Sequence, residues 1–93
     1  MQEKVNIVIP AIKINEELLK CLKEINKVNY SNFFVTIVLD RQGKNKLPKF
    51  KYKVNKLIVG KINMSTKRNM AVKKFKSKYI AFIDSDAYPN KNW

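Results

Sequence analysis

Several residue types are rare or missing in this 93-residue sequence, and each absence excludes a class of protein. Without histidine, zinc sites that need His and the Ser-His-Asp or Cys-His catalytic arrangements cannot form within the chain. The single cysteine, Cys21, excludes an internal disulfide, and its place on the apolar face of a predicted helix indicates a core residue. With two glycines, the sequence has neither the G-x-x-x-x-G-K nor the G-x-G-x-x-G phosphate loop.

Long apolar segments are also missing. No run approaches the roughly 20 residues that span a bilayer, and no secretory signal opens the chain. The hydrophobic fraction of 45% is ordinary for a globular protein. We therefore expect a cytoplasmic location, and peripheral contact with the inner face of the membrane stays open.

Acidic residues are scarce: 7 Asp and Glu face 20 Lys and Arg, which gives a net charge of +13. All the basic residues except Arg41 and Arg68 are lysines, and they are spread along the whole chain. Nucleic-acid-binding proteins usually cluster their basic residues and use Arg at bidentate contacts. The best candidate for a nucleic-acid-binding patch is residues 44–53, which include Phe50 and Tyr52. We therefore interpret this segment first as a solvated loop. The charge favours anionic ligands, and nucleic acid is not the partner we expect.

Hydrophobic patterning predicts four strands and two helices. The strands are expected at residues 5–9, 33–39, 54–59 and 79–83, and the helices at 16–28 and 66–76. Asn15 and Ser65 are the predicted N-caps, and Pro10 is expected to end the first strand. The order β-α-β-β-α-β with continuous apolar strands predicts an α/β fold, a Rossmann-like, open and mostly parallel sheet. Such sheets bind ligands beyond the carboxyl ends of their strands.

Three of the scarce acids lie at such strand ends: Asp40, Asp84 and Asp86. In an extended segment Asp84 and Asp86 point to the same side, where Mg²⁺ or Mn²⁺ would relieve their repulsion; a plain polar turn is the alternative. Asp40 is either an acceptor for a base or ribose, or a turn residue. Near the start of the second helix, Arg68 is placed to contact a phosphate or a base.

Taken in order along the chain, these segments resemble a family 2 glycosyltransferase of the GT-A fold. The similar segments are VNIVIPA (5–11), NEELLKCL (15–22), YSNFFVTIVLD (30–40), NMSTKRN (63–69) and YIAFIDSDAYPNKNW (79–93). The last four are similar to the family patterns NEE..L..CL, Y.NFEVIVVD, N.G...ARN and YIAFLDSDD.P...W. The match covers nearly the whole chain, so it is far more specific than any single motif.

The resemblance implies that residues 1–93 form the amino-terminal, nucleotide-sugar-binding half of a GT-A domain. It implies inverting, Mn²⁺- or Mg²⁺-dependent transfer from a UDP- or GDP-type sugar donor to an acceptor hydroxyl. It assigns the nucleotide-sugar site to Pro10, Ala11, Ile12, Asp40, Arg68, Asp84 and Ser85, and the metal to Asp84 and Asp86. The family's catalytic base lies beyond this region, so we expect these 93 residues to bind a donor weakly and transfer no sugar.

Two departures from the family pattern concern the nucleotide. Arg41 stands where the family often has a second Asp, the residue that the resemblance implies would read uracil. The turn from Pro10 to Asn15 is longer than the family's and has no aromatic residue to stack on the base. The identities of nucleotide, sugar and acceptor stay open. So do two alternatives: a nucleotidyltransferase-like domain, and a non-enzymatic basic module that binds nucleic acid or an acidic partner. Exposed apolar sheet surface would also allow self-association.

Overall fold

The computed structural model describes residues 4–27, 32–43 and 45–83. Within these residues the elements are β1 (Val5–Ala11), α1 (Glu16–Ile25), β2 (Phe33–Leu39), β3 (Val54–Ile58), α2 (Met64–Lys74) and β4 (Tyr79–Phe82). The predicted order β-α-β-β-α-β is confirmed. Within the same residues, no helix is long and apolar enough to cross a membrane.

The four strands form one parallel sheet in the order β3-β2-β1-β4. The chain runs outward from β1 to β2 and β3, and then returns through α2 to β4 on the other side of β1. Strand order therefore reverses between β1 and β4, which is where open α/β sheets bind ligands at their carboxyl ends. The predicted Rossmann-like fold is confirmed.

The two helices cover opposite faces of the sheet. One face packs Ile7, Ile9, Ile37 and Leu39 against the apolar stripe of α1, which consists of Leu18, Cys21, Leu22 and Ile25. The other face packs Val8 and Val38 against Ala71 of α2. The crossover through α1 and the crossover through α2 run in opposite directions along the sheet. Because both are right-handed, the two helices must lie on opposite faces. The predicted core position of Cys21 is confirmed, because its side chain is fully buried.

The cap of α1 is confirmed, and the cap of α2 is corrected. Asn15 accepts a hydrogen bond from the Leu18 N–H (2.9 Å). In α2 the cap is Asn63, which accepts from the Thr66 N–H (2.8 Å), so the predicted cap Ser65 lies inside the helix. Asn caps a helix at least as well as Ser does. Helix α1 also ends before the predicted residue 28, with Asn26 as its C-cap.

The prediction that strand pairing ends at Pro10 is wrong, because β1 continues to Ala11, opposite Leu39. In a parallel sheet, the N–H and C=O of one residue both point to one neighbouring strand, and those of the next residue point to the strand on the other side. The Val8 carbonyl accepts from the Ile83 N–H (3.1 Å) on the β4 side, so the nitrogen of Pro10 also faces that side. Pairing of β1 with β4 ends at Val8 and Phe82. The missing N–H of Pro10 therefore removes no bond from the pairing with β2.

Helix α2 is fixed to the sheet near its carboxyl end by a buried polar network. Asn6 of β1 is fully buried; its side-chain amide donates to the Phe75 carbonyl (2.9 Å) and accepts from the Thr36 hydroxyl (2.8 Å). Phe75 is the C-cap residue of α2. The network thus sets the position of the helix whose other end carries Lys67 and Arg68.

The predicted loop between β2 and β3 contains no helix or strand among its described residues, and its aromatic side chains pack inward. The Tyr52 hydroxyl donates to the Leu22 carbonyl (2.6 Å), and its ring lies 5.2 Å from the rings of Phe33 and Phe50. Burial raises the pKa of the Tyr52 hydroxyl above its usual range, with a smaller contribution from Cys21. Because the rings of Phe50 and Tyr52 pack against each other, and Tyr52 also packs against Phe33, they are poorly placed to stack on nucleic-acid bases.

Candidate functional site

A buried ion pair joins the carboxyl ends of β1 and β2 to helix α2. The register places Ala11, the last residue of β1, beside Leu39, and Asp40 follows directly. The Lys67 ammonium group donates to the Ala11 carbonyl (3.1 Å) and contacts Oδ1 of Asp40. The Lys67 side chain is only 5% exposed, whereas that of Asp40 is 18% exposed.

In this pair, the attraction between the two opposite charges offsets the cost of removing them from water. Moving an ammonium group out of water costs several kcal/mol, and a contacting carboxylate with a further hydrogen bond can offset that cost. Here Asp40 supplies the opposite charge and Ala11 supplies the hydrogen-bond acceptor. The first turn of α2 contains no acidic residue, so compensation for Lys67 comes from the strand ends rather than from its own helix.

The next residue of α2, Arg68, faces a different strand. Its guanidinium lies over the ring of Phe82, with Cζ 5.3 Å from the ring centroid. Phe82 ends β4, and the Ile83 N–H continues the contact with β1 by donating to Val8. Consecutive residues of α2 therefore reach the ends of three strands: Lys67 those of β1 and β2, and Arg68 that of β4.

The loops that follow β1 and β2 are hydrogen-bonded to each other. The Arg41 N–H donates to the Ile12 carbonyl (3.0 Å), and the Ile14 N–H donates to the Gln42 carbonyl (3.3 Å). Gly43 has a φ of +78°, and a Cβ at this position would lie 3.1 Å from the Cβ of Lys13. The positive φ favours glycine, and the close approach leaves little space for a side chain where the two loops meet.

A cleft of about 530 Å³ opens between these loops and the start of α1. Its charged lining residues are Lys13, Arg41 and Glu16, so two cations and one carboxylate stand at its walls. Arg41 is exposed and directly follows Asp40. The edge of the sheet thus combines a cleft with charges of both signs, the carboxylate of Asp40 and the exposed side chain of Ile12.

Comparison with known proteins identifies the family to which this geometry belongs. The model for glycosyl transferase family 2 matches residues 6–93. The chain belongs to this family. A search of curated proteins found no match. The match to the family model confirms the resemblance of the sequence motifs to family 2 and the GT-A fold.

Among solved structures, the family 2 chain is similar to TarS from S. aureus. The crystal structure of TarS 1–349 gives a TM-score of 0.72 at 25% identity, over 95% of this chain and 29% of that one. TarS 1–349 in complex with UDP-GlcNAc gives 0.72 at 25% identity, over 95% and 28%. The complex with UDP gives 0.73 at 25% identity, over 96% and 29%. The chain spans less than a third of the length of these TarS structures.

The structure brings together part of the predicted site. Pro10 and Ala11 end β1 and Ile12 follows, as the resemblance to family 2 implies for a pocket wall. Asp40 lies beside Ala11, connected to it by Lys67, and Arg68 lies against the end of β4. These placements agree with a shared site, while the contacts assigned to each residue stay predictions.

The predicted metal ligands Asp84 and Asp86, together with Ser85, lie outside the described residues. Within residues 4–27, 32–43 and 45–83, no group of three or more His, Cys, Asp or Glu is placed to hold a metal ion. Asp40 is engaged by an ammonium group, which competes with any cation for its Oδ1. The metal assignment to Asp84 and Asp86 therefore stays a prediction.

Sequence reasoning missed Lys67. The chain is so rich in lysine that a further one near a helix end reads as a surface residue. One signal was present: Lys67 lies four residues before Ala71, and the two are the buried residues of α2. The apolar residues Val72 and Phe75 of this segment are only half-buried. Helical spacing from Ala71 would have placed Lys67 on the inner face.

Proposed function

We propose that the chain forms the donor-binding part of a glycosyltransferase that uses a nucleoside diphosphate sugar of the UDP or GDP type. The observation that carries this proposal is the convergence of Asp40, Lys67 and Arg68 at the strand-order reversal of a family 2 chain. Two of the similar TarS structures are complexes with UDP-GlcNAc and UDP, which supports a nucleotide donor.

In this proposal the base lies against the carboxyl ends of β1 and β2, beside Asp40. Pro10, Ala11 and Ile12 form one wall, and the Asp40 carboxylate accepts a hydrogen bond from the base. Arg68 contacts the base or a phosphate as a fixed cation, which its position over Phe82 supports. The high positive charge of the chain raises the local concentration of an anionic donor.

The diphosphate is expected at the end of β4, where Asp84, Ser85 and Asp86 follow. The Ile83 N–H donates to the Val8 carbonyl (3.1 Å), so β4 stays bonded to β1 up to the residue that precedes Asp84. Carboxylates of Asp84 and Asp86 are the oxygen donors that Mg²⁺ or Mn²⁺ prefers. A bound ion would supply positive charge for the departing diphosphate.

The transfer itself would be a displacement with inversion. An acceptor hydroxyl oxygen bonds to the anomeric carbon while the bond from that carbon to the diphosphate oxygen breaks, and the hydroxyl proton passes to a base. Among the described residues, Glu17 and Glu24 lie on α1, Glu16 lines the cleft near Lys13 and Arg41, and Asp40 is paired with Lys67. The resemblance to family 2 implies that the catalytic base lies beyond this region, so we expect donor binding without transfer from this chain.

Calorimetric titration with UDP, GDP and their sugars, with and without Mn²⁺, tests the proposal. We expect binding that strengthens with Mn²⁺ and is weakened by Asp40→Ala. Asp86→Ala should abolish the effect of Mn²⁺, whereas Glu17→Gln, which removes an exposed carboxylate of α1, should leave it unchanged. A persistent Mn²⁺ effect in Asp86→Ala would make the metal assignment wrong. Absence of binding to every nucleotide would refute the donor site.

A further inference from the structure

Lys67 is a buried charge at the proposed donor site, and the proposed function assigns it no contact with the donor. Its whole residue is 4% exposed, although most lysines of this chain lie on the surface. Its contacts are with Ala11 and Asp40, two residues that the proposed function places around the base.

Stability of the fold is a weak reason to bury this charge. Replacing a buried ion pair with well-packed apolar residues is often neutral or stabilising. One turn further along the same face of α2, the buried residue is Ala71, which packs against Val8 and Val38. An apolar residue therefore suits this face of the helix. The presence of a lysine at position 67 points to a role in the site at the strand ends.

The contacts of Lys67 determine which part of Asp40 is available to a ligand. Oδ1 of Asp40 is buried and faces the ammonium group. The 18% of the Asp40 side chain that remains accessible therefore lies on its other atoms. Because Lys67 also donates to the Ala11 carbonyl, its ammonium is fixed relative to β1. Lys67 thus holds the carboxylate in one orientation at the edge of the site.

We propose that Lys67 is a positioning residue for the donor base, acting through Asp40. The fixed carboxylate accepts a hydrogen bond from a ring N–H that adjoins a carbonyl group, as in uracil and guanine. Cytosine and adenine present an unprotonated ring nitrogen at the corresponding edge, which repels a carboxylate. The nearby ammonium charge offsets repulsion between Asp40 and the carbonyl oxygens of the base. This inference rests on the proposed function and adds the residue that sets selectivity for the base.

The test compares ligands that differ at a single ring nitrogen. Calorimetry measures the affinity for UDP, for UDP methylated at N3 and for CDP; if the chain prefers GDP, the set is GDP, GDP methylated at N1 and ADP. We expect Lys67→Met to weaken binding of the N–H ligand about 10- to 100-fold, the effect of losing a charge-assisted hydrogen bond. Binding of the methylated ligand and of CDP or ADP should change little, so that selectivity for the N–H ligand falls.

Two further variants separate positioning from a structural role. Lys67→Arg keeps the charge and should restore part of the selectivity, whereas Lys73→Met, which removes an exposed lysine of the same helix, should leave it unchanged. If Lys67→Met does not fold, Lys67→Gln replaces it, because the amide can still donate to Ala11. An equal loss of affinity for all ligands, or unchanged selectivity, would overturn the inference but leave the donor site standing. A wild-type chain that binds no nucleotide would overturn both.

Discussion

The polar network beneath the end of α2 allows a stability prediction with a defined magnitude. Asn6→Ala removes one hydrogen bond to the Phe75 carbonyl and one from the Thr36 hydroxyl. Each such bond contributes about 0.5–1.5 kcal/mol, and a buried group left without a partner costs about 1–3 kcal/mol. Thr36 is fully buried, whereas the bond to Phe75 is only partly buried, so water can replace one partner and not the other.

From these terms we expect Asn6→Ala to lower the free energy of unfolding by about 2–4 kcal/mol. For a domain of this size, the loss corresponds to a fall in Tm of about 10–25 °C. Urea unfolding followed by far-ultraviolet circular dichroism measures the free energy, and a thermal scan measures the Tm. A fall smaller than about 1 kcal/mol would mean that the network contributes little to holding α2.

A double-mutant cycle provides the matched control. Thr36→Val keeps the shape of the side chain and removes only the hydroxyl, so we expect a loss of about 1–2 kcal/mol. Because Asn6 and Thr36 are directly bonded, the double variant should lose less than the sum of the two single losses. Strict additivity would contradict the direct coupling between the two side chains.

Three further predictions concern the ion pair, the buried tyrosine and the sheet edge. Lys67→Met should lower the free energy of unfolding in urea by about 2–4 kcal/mol. This loss is smaller than for a fully buried ion pair, because Asp40 keeps some contact with water. Asp40→Asn combined with Lys67→Met should recover most of that loss, and no recovery would contradict a pairwise interaction. The raised pKa of Tyr52 implies stability that is fully present below the unfolded-state pKa of about 10 and is lost as pH rises through the folded-state pKa. Tyr52→Phe should flatten this alkaline decline in pH-dependent unfolding, and an unchanged decline would assign it to other groups. The strand β4 lies at the edge of the described sheet with Ile80 exposed, so sedimentation should show concentration-dependent self-association. Ile80→Lys should reduce it while Met70→Lys, on α2, should not; a monomer at high concentration would contradict the expectation.

Local sequence signals were sufficient to predict the elements of the fold. The apolar, β-branched run at 33–39 forms β2, and the helical spacing of Leu18, Cys21, Leu22 and Ile25 matches the buried face of α1. These signals work for β2 and α1 because these elements are buried on one face or both, and burial sets the period of the apolar residues. The parallel sheet then follows from the alternation of strands with helices.

The errors arise where the outcome depends on a neighbouring element. Whether Pro10 ends a strand depends on which side its nitrogen faces and on how far β4 extends along that side. The choice of Asn63 over Ser65 as the cap depends on the packing of Lys67 and Ala71 against the sheet. Neither relation can be read from a local window of residues.

The position of α2 explains how one helix can contribute to two parts of the candidate site. Consecutive residues of a helix are about 100° apart around its axis, so Lys67 and Arg68 point to different strands. A helix placed over the reversal of strand order therefore directs one cation toward β2 and the next toward β4. This division requires that the helix neither rotates nor slides. Lys67 at one end and the Asn6 bond to Phe75 at the other provide the two fixed points that prevent such motion. Loss of the Asn6 network should therefore disturb the ligand contacts of Asp40 and Arg68 together, although Asn6 lies at the opposite end of the helix.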